Sequence, residues 1–172
     1  LSVVAYGASS ASGIVVGKTI GAGDRAVLKR LVHTLEVLFS AIGLLTGLTI
    51  FLLRRPLLTV FGGTLTENAC RLSMQFMAVI AVTTVGTSYQ VACDNGIIRG
   101  GGDTAFSAKM NLISMWLIIV PLSALAAFRW ELAPVVVFFL LKWDQLYKII
   151  PVAIRLHSWK WVKVVTRNDN EV

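Results

Sequence analysis

The stretch Ala105 to Phe128, AFSAKMNLISMWLIIVPLSALAAF, decides the class of fold. From Met110 to Phe128 it carries no charged residue. An apolar run of about 20 residues is long enough to cross the roughly 30 Å hydrocarbon layer of a bilayer as a helix. A strand of a membrane barrel would be about ten residues long and alternate in polarity, and Ile113 to Leu122 shows no such alternation. Lipid offers no partner to backbone N–H and C=O groups, so the run must satisfy its own and be helical.

Working outward, four more apolar segments flank it: Leu1 to Ile20, Leu31 to Leu53, Ala69 to Ile98 and Ala133 to Ile154. The 172 residues are 56% hydrophobic and 15% charged, where a soluble domain has about 45–50% apolar and 25% charged residues. The sequence therefore predicts an all-α membrane protein, a polytopic transmembrane helix bundle with five spans over residues 1–154. A basic tail, 155–172, follows. The breakers fall between the segments: Gly21, Gly23 and Asp24; Pro56, Gly62 and Gly63; Gly100 to Asp103; and Pro134. The third segment would be about 45 Å long at helical rise, so it should tilt or project from the membrane. Leu1 opens inside an apolar segment without the basic flank or cleavage site of a signal peptide, which suggests a fragment lacking its upstream part.

The net charge is +7. Lys and Arg sit at segment ends and never form a stripe interleaved with aromatics, which argues against nucleic acid and for anionic lipid headgroups as partners. With five spans, one side of the membrane receives Arg25, Lys29, Arg30, Arg99, Lys109, Arg155, Lys160, Lys163 and Arg167; the other receives Arg54, Arg55, Arg71 and Arg129. The cation-rich side marks the cytoplasm, so the C-terminus is expected there, with Leu1 starting outside. Trp159 and Trp161, among cations after the last span, are expected to sit at headgroup level. Cys70 and Cys93 lie about 35 Å apart along one helix, too far for a disulfide within it.

Several patterns invite chemistry and fail its spacing rules. Gly17, Lys18 and Thr19 suggest a phosphate loop, but the required glycine five residues earlier is Ser12, and Ile14 to Val16 suit lipid. The RGGGDT of Arg99 to Thr104 reads as a turn closed by an Asp or Thr helix cap. His33 and Glu36 make only two metal ligands, with no second set to complete a site. No metal site or cofactor is expected. Ala5, Ser9, Gly13, Gly17 and Gly21 recur every four residues and form one small-residue helix face for close packing.

Ionisable residues within spans are costly in lipid and by default face a bundle interior or an aqueous cavity. Asp144 lies midway along the last segment with Lys148 one turn on. A structural ion pair and a proton or substrate role are both open for this pair. Asp94 and Glu36 each stand about one turn from a span end and are expected to be half solvated. Lys142 lies deep in the last segment. Gln75, Gln90 and Asn111 are candidates for hydrogen bonds to a substrate in a cavity.

Gly17 to Asp24 (GKTIGAGD), Gly96 to Thr104 (GIIRGGGDT) with Pro121 in the next span, and the ending from Asp144 to Arg155 followed by SWKWVKVVTR resemble the C-terminal half of multidrug and toxin extrusion (MATE) transporters of bacterial type. The resemblance implies a twelve-helix exporter of two six-helix lobes, in which these five spans match spans eight to twelve. It implies export of cationic or amphipathic compounds in exchange for protons or sodium ions across the cell membrane, with the missing N-terminal half as partner. Some members carry an acidic residue in the tenth span where this chain has Ser88, which leaves the coupling ion open. A flippase for lipid-linked oligosaccharides would use Lys142 and Lys148 for phosphate. A membrane-embedded enzyme would need a nucleophile pattern near His33 or His157, and neither has one.

Overall fold

The computed structural model describes residues 2–61 and 66–163, with side chains over 6–60 and 66–163. Helix α1 is Ser2–Gly21, α2 is Arg25–Phe61, α3 is Glu67–Ile98 and α4 is Thr104–Arg129. The last segment is three short helices laid end to end, α5 (Pro134–Lys142), α6 (Asp144–Tyr147) and α7 (Ile149–His157). No strand occurs among the described residues. Helices α2, α3 and α4 are long and apolar enough to cross a bilayer.

The surface of this bundle is its greasy side. Trp116, Leu117 and Phe128 of α4 and Leu45 and Leu52 of α2 are well over half exposed. The buried set includes Ser9, Ser12, Gln90, Asp94, Ser107, Ser114 and Lys148. That inversion suits a lipid solvent, in which polar groups gain by meeting one another.

Helix α2 outruns the expected 31–53 at both ends. It begins where Asp24 Oδ1 accepts hydrogen bonds from the backbone N–H groups of Ala26 and Val27, both at 3.0 Å, which satisfies two otherwise orphaned donors. It then passes through Pro56 to Phe61. A proline removes one intrahelical bond and bends a helix without always ending it. The expected breakers Gly62 and Gly63 lie outside the described residues. Over Ala92–Ile98, α3 widens into π-helical turns, where Arg99 N–H reaches back five residues to Asp94 O at 3.0 Å.

The fifth segment is broken instead of continuous. Trp143 N–H bonds to Leu140 O and Leu146 N–H to Trp143 O, at 3.2 and 3.0 Å. These three-residue bonds tighten the helix where its polar residues are concentrated. Pro151 in α7 has no N–H for the carbonyl four residues earlier.

Small residues bring α1 onto the end of α3. A Cβ added at Gly13 would lie 3.1 Å from Gly96 O, and one at Gly17 would lie 3.4 Å from Gly100 O. Ser9 Oγ donates to Val91 O at 3.4 Å. Gly21 has nothing within 4 Å, so the packed face stops at Gly17; the Ala5 side chain lies outside the described residues. A core of Val16, Val32, Cys93, Ile97, Val152, Leu156 and Trp161 ties α1, α2, α3 and α7 together.

Candidate functional site

The polar side chains of three helices meet in one line. Lys148 Nζ donates to Asp144 Oδ2 at 3.0 Å and to Asn111 Oδ1 at 3.0 Å. Asn111 Nδ2 donates in turn to Asp94 Oδ2 at 3.2 Å and to Ser107 O at 2.9 Å. Ser107 Oγ donates to Asp94 Oδ1. Arg99 stands 3.9 Å from the same carboxylate, outside hydrogen-bond range. Gln145 Nε2 donates to Asp144 as well, and Ser114 and Tyr147 share a hydroxyl–hydroxyl bond between α4 and α6.

Local structure explains each placement. Asp94 sits in the π-helical part of α3, an irregular helix type frequent at functional sites. Ser107 and Asn111 are one turn apart on α4, so they share a face. Gly86 of α3 admits the backbone of α6, since a Cβ there would lie 2.6 Å from Gln145 O. Asp144 and Lys148 are one turn apart across the tightened stretch of the last segment.

Of the candidate residues, the structure joins Asp94, Asn111, Asp144 and Lys148. Asp94 is 1% exposed, not half solvated, because α1 and α4 close over it. Glu36 lies in a separate cluster, accepting from Tyr89 Oη at 2.8 Å with His157 Nε2 at 3.9 Å. Gln90 is buried on α3, while Gln75 is exposed. Lys142 is exposed at the end of α5. His33 and Glu36 gain no third ligand, and no group of three His, Cys, Asp or Glu side chains is placed to hold a metal among the described residues. Sequence reasoning passed over Ser107, although its spacing from Asn111 was a visible signal. An open groove of about 320 Å³ runs beside the line, lined by Phe106, Met110, Ile113, Ser114 and Tyr147.

A second ionic centre lies at the turn between α3 and α4. Asp103 occupies the N-cap position of α4 without a side-chain cap bond. Its carboxylate instead receives Arg155 Nε at 2.8 Å and Lys163 Nζ at 2.7 Å. Burial opposes ionisation of Asp103, but the hydrogen bonds from Lys163 and Arg155 outweigh it and hold the carboxyl below the usual carboxylate range.

Trp161 is fully buried, so it is not a headgroup anchor. It donates Nε1–H to Leu156 O at 2.8 Å, and its ring fills the space that a side chain at Gly101 would take. Lys163 N–H bonds to Gly101 O at 2.9 Å. The segment after α7 is thus packed onto the Arg99 to Asp103 turn as far as Lys163. Trp159 stays half-buried, with Lys29 Nζ 5.8 Å from its ring.

A bundle of apolar-surfaced helices with a buried polar line is the form of a polytopic membrane protein. The MatE family model matches residues 1–125, and the chain belongs to that family of membrane transporters. It is 25% identical over 126 residues to a protein of Schizosaccharomyces pombe named as an uncharacterized transporter, a match covering 73% of this chain and 23% of that protein. The chain thus spans about a quarter of the length of the curated relative it matches. No solved structure matches. The matched region includes Asp94, Ser107 and Asn111 and ends before Asp144 and Lys148.

Proposed function

We propose that this chain is the C-terminal part of a secondary active antiporter that exports cationic or amphipathic compounds in exchange for protons or sodium ions. The observation that carries the reading is the line Asp94, Asn111, Lys148, Asp144, which places two acids and a base between three helices of a membrane bundle. Ionisable groups within a membrane bundle mark ion and substrate paths by default. The site would face a central cavity shared with an N-terminal half, and the two halves would rock against each other to alternate access. The membrane is that of a bacterial cell, with the C-terminus in the cytoplasm.

The flippase reading draws less support, because Lys148 already holds Asp144 and Asn111 and Lys142 is exposed away from them. Asp144→Asn in the whole transporter tests the exporter reading. Efflux per folded molecule should fall and lose its dependence on the driving gradient, and unchanged specific efflux would remove Asp144 from the mechanism. Ser158, exposed just after α7, tests the orientation. A single cysteine there should be shielded from impermeant thiol reagents in intact cells.

A further inference from the structure

On the exporter reading above, we propose that Lys148 is a tethered counter-cation of the intramembrane site, and that the ion exchanged for a monovalent organic cation is the proton Lys148 gives up. The ammonium group sits between two oxygen atoms from different helices, Asp144 Oδ2 and Asn111 Oδ1, each at 3.0 Å. The side chain is 6% exposed. Those oxygens, a carboxylate and an amide carbonyl, are the hard ligands a metal cation would seek. Here the protein's own cation fills the position.

Charge balance argues the same way. Lys148 meets Asp144 on its own segment and Asn111 on α4 directly; Gln145 adjoins it through Asp144 and Ser107 through Asn111, and the Ser114–Tyr147 pair joins the same two elements. On α3, Asp94 is linked to Lys148 through Asn111, with Arg99 3.9 Å beyond Asp94. Counted at their formal charges, two carboxylates stand against Lys148 and the partly exposed Arg99, so the set sums to zero. A sodium ion added to it would leave an uncompensated positive charge in a poorly solvated place. An organic cation that takes Asp144 from Lys148 leaves the same excess, unless Lys148 becomes neutral.

The exchange step is then balanced. The incoming cation pairs with the Asp144 carboxylate, one N–H bond of Lys148 breaks, and the proton passes to water while the nitrogen keeps the electron pair. The amine still has N–H groups for Asn111 Oδ1. One monovalent cation enters and one proton leaves, so the net charge of the site is constant. Reprotonation from the opposite side restores the ammonium, which retakes Asp144 and expels the substrate. A lysine can perform this step because its ammonium deprotonates when desolvated, whereas a guanidinium does not.

The test uses the whole transporter in proteoliposomes with tetraphenylphosphonium as the cation. A pH gradient should drive its flux and a sodium gradient of the same size should not. Lys148→Arg keeps the charge and the hydrogen bonds to Asp144, yet should lower pH-driven flux roughly tenfold or more at equal abundance, because arginine holds its proton. Because the Lys148 side chain is 6% exposed and arginine is the larger side chain, flux is compared per folded molecule, and a Lys148 that is only a structural partner would leave the wild type releasing no proton on binding. Independently of any variant, tetraphenylphosphonium binding to the wild-type protein in unbuffered detergent solution should release close to one proton per cation. Absence of proton release overturns the proposal, as does pH-driven flux retained by Lys148→Arg. Sodium-driven flux in the wild type overturns it while leaving the exporter reading intact. Flux that follows neither gradient overturns both.

Discussion

Asp94 and Asp103 are separated by a single turn and are both almost fully buried, yet the molecule holds them in opposite ways. Asp103 is clamped by two cations in direct contact, Arg155 and Lys163. Asp94 meets the neutral donors Ser107 and Asn111, with Arg99 at 3.9 Å and Lys148 one amide further on. The clamp is a charge-assisted contact that fixes the segment after α7 to the turn between α3 and α4. The line around Asp94 instead spreads its charge over three helices through neutral donors, and reaches a cation in direct contact only at Lys148 and Asp144. The comparison separates a local clamp from a chain of hydrogen bonds that joins three helices.

The largest effect is expected where the line is broken at its cation. Lys148→Met leaves Asp144 and Asp94 without their shared counter-charge and should destabilise the whole transporter by about 3–5 kcal/mol, the usual consequence of removing one partner from a buried pair. Adding Asp144→Asn should recover much of that loss. Thermal unfolding in detergent checks both, and a single variant as stable as the wild type would show that the line carries no structural charge balance.

Next comes the packing beneath the clamp. Gly101→Val forces a side chain into the Trp161 ring and should cost about 1–3 kcal/mol, as overpacking usually does. The loss should appear in the same melting assay together with increased Trp161 exposure to quenchers. Gly21→Val, at a position with open space around it, should change stability little.

A smaller effect is expected for Asp103→Asn. Its partner Lys163 is half exposed and Arg155 about a quarter, so solvent screening reduces the loss to about 1 kcal/mol. The pH dependence has a definite sign. Because the folded-state carboxyl lies below its ordinary value, its contribution is complete above about pH 4 and fades as acid takes the pH through the lowered folded value. Melting curves of Asp103→Asn should lack that acid-side component, and a wild-type curve without it would mean the clamp does not hold in solution.

Much of the architecture was legible along the chain. Long apolar runs announced helices, three of which, α2, α3 and α4, are long and apolar enough to cross a bilayer, and the one-turn spacing of Asp144 and Lys148 announced their contact. The boundaries were less legible. Pro56 looked like a terminator, but a helix in a poor hydrogen-bonding solvent gains more by continuing than by exposing its backbone. The last segment looked continuous, but its Lys142 to Lys148 stretch winds tightly and splits into three pieces.

By itself the sequence determined the class of the protein and the neighbours within each helix, because hydropathy and the 3.6-residue period act locally. Only the tertiary structure decided that Asn111 reaches both Lys148 and Asp94, that Arg155 and Lys163 close on Asp103, and that Trp161 turns inward. These contacts depend on how closely whole helices approach. The glycines at 13, 86, 96 and 101 set those distances through the side chains they lack, and no periodicity within one helix records which backbone will occupy the space another leaves open.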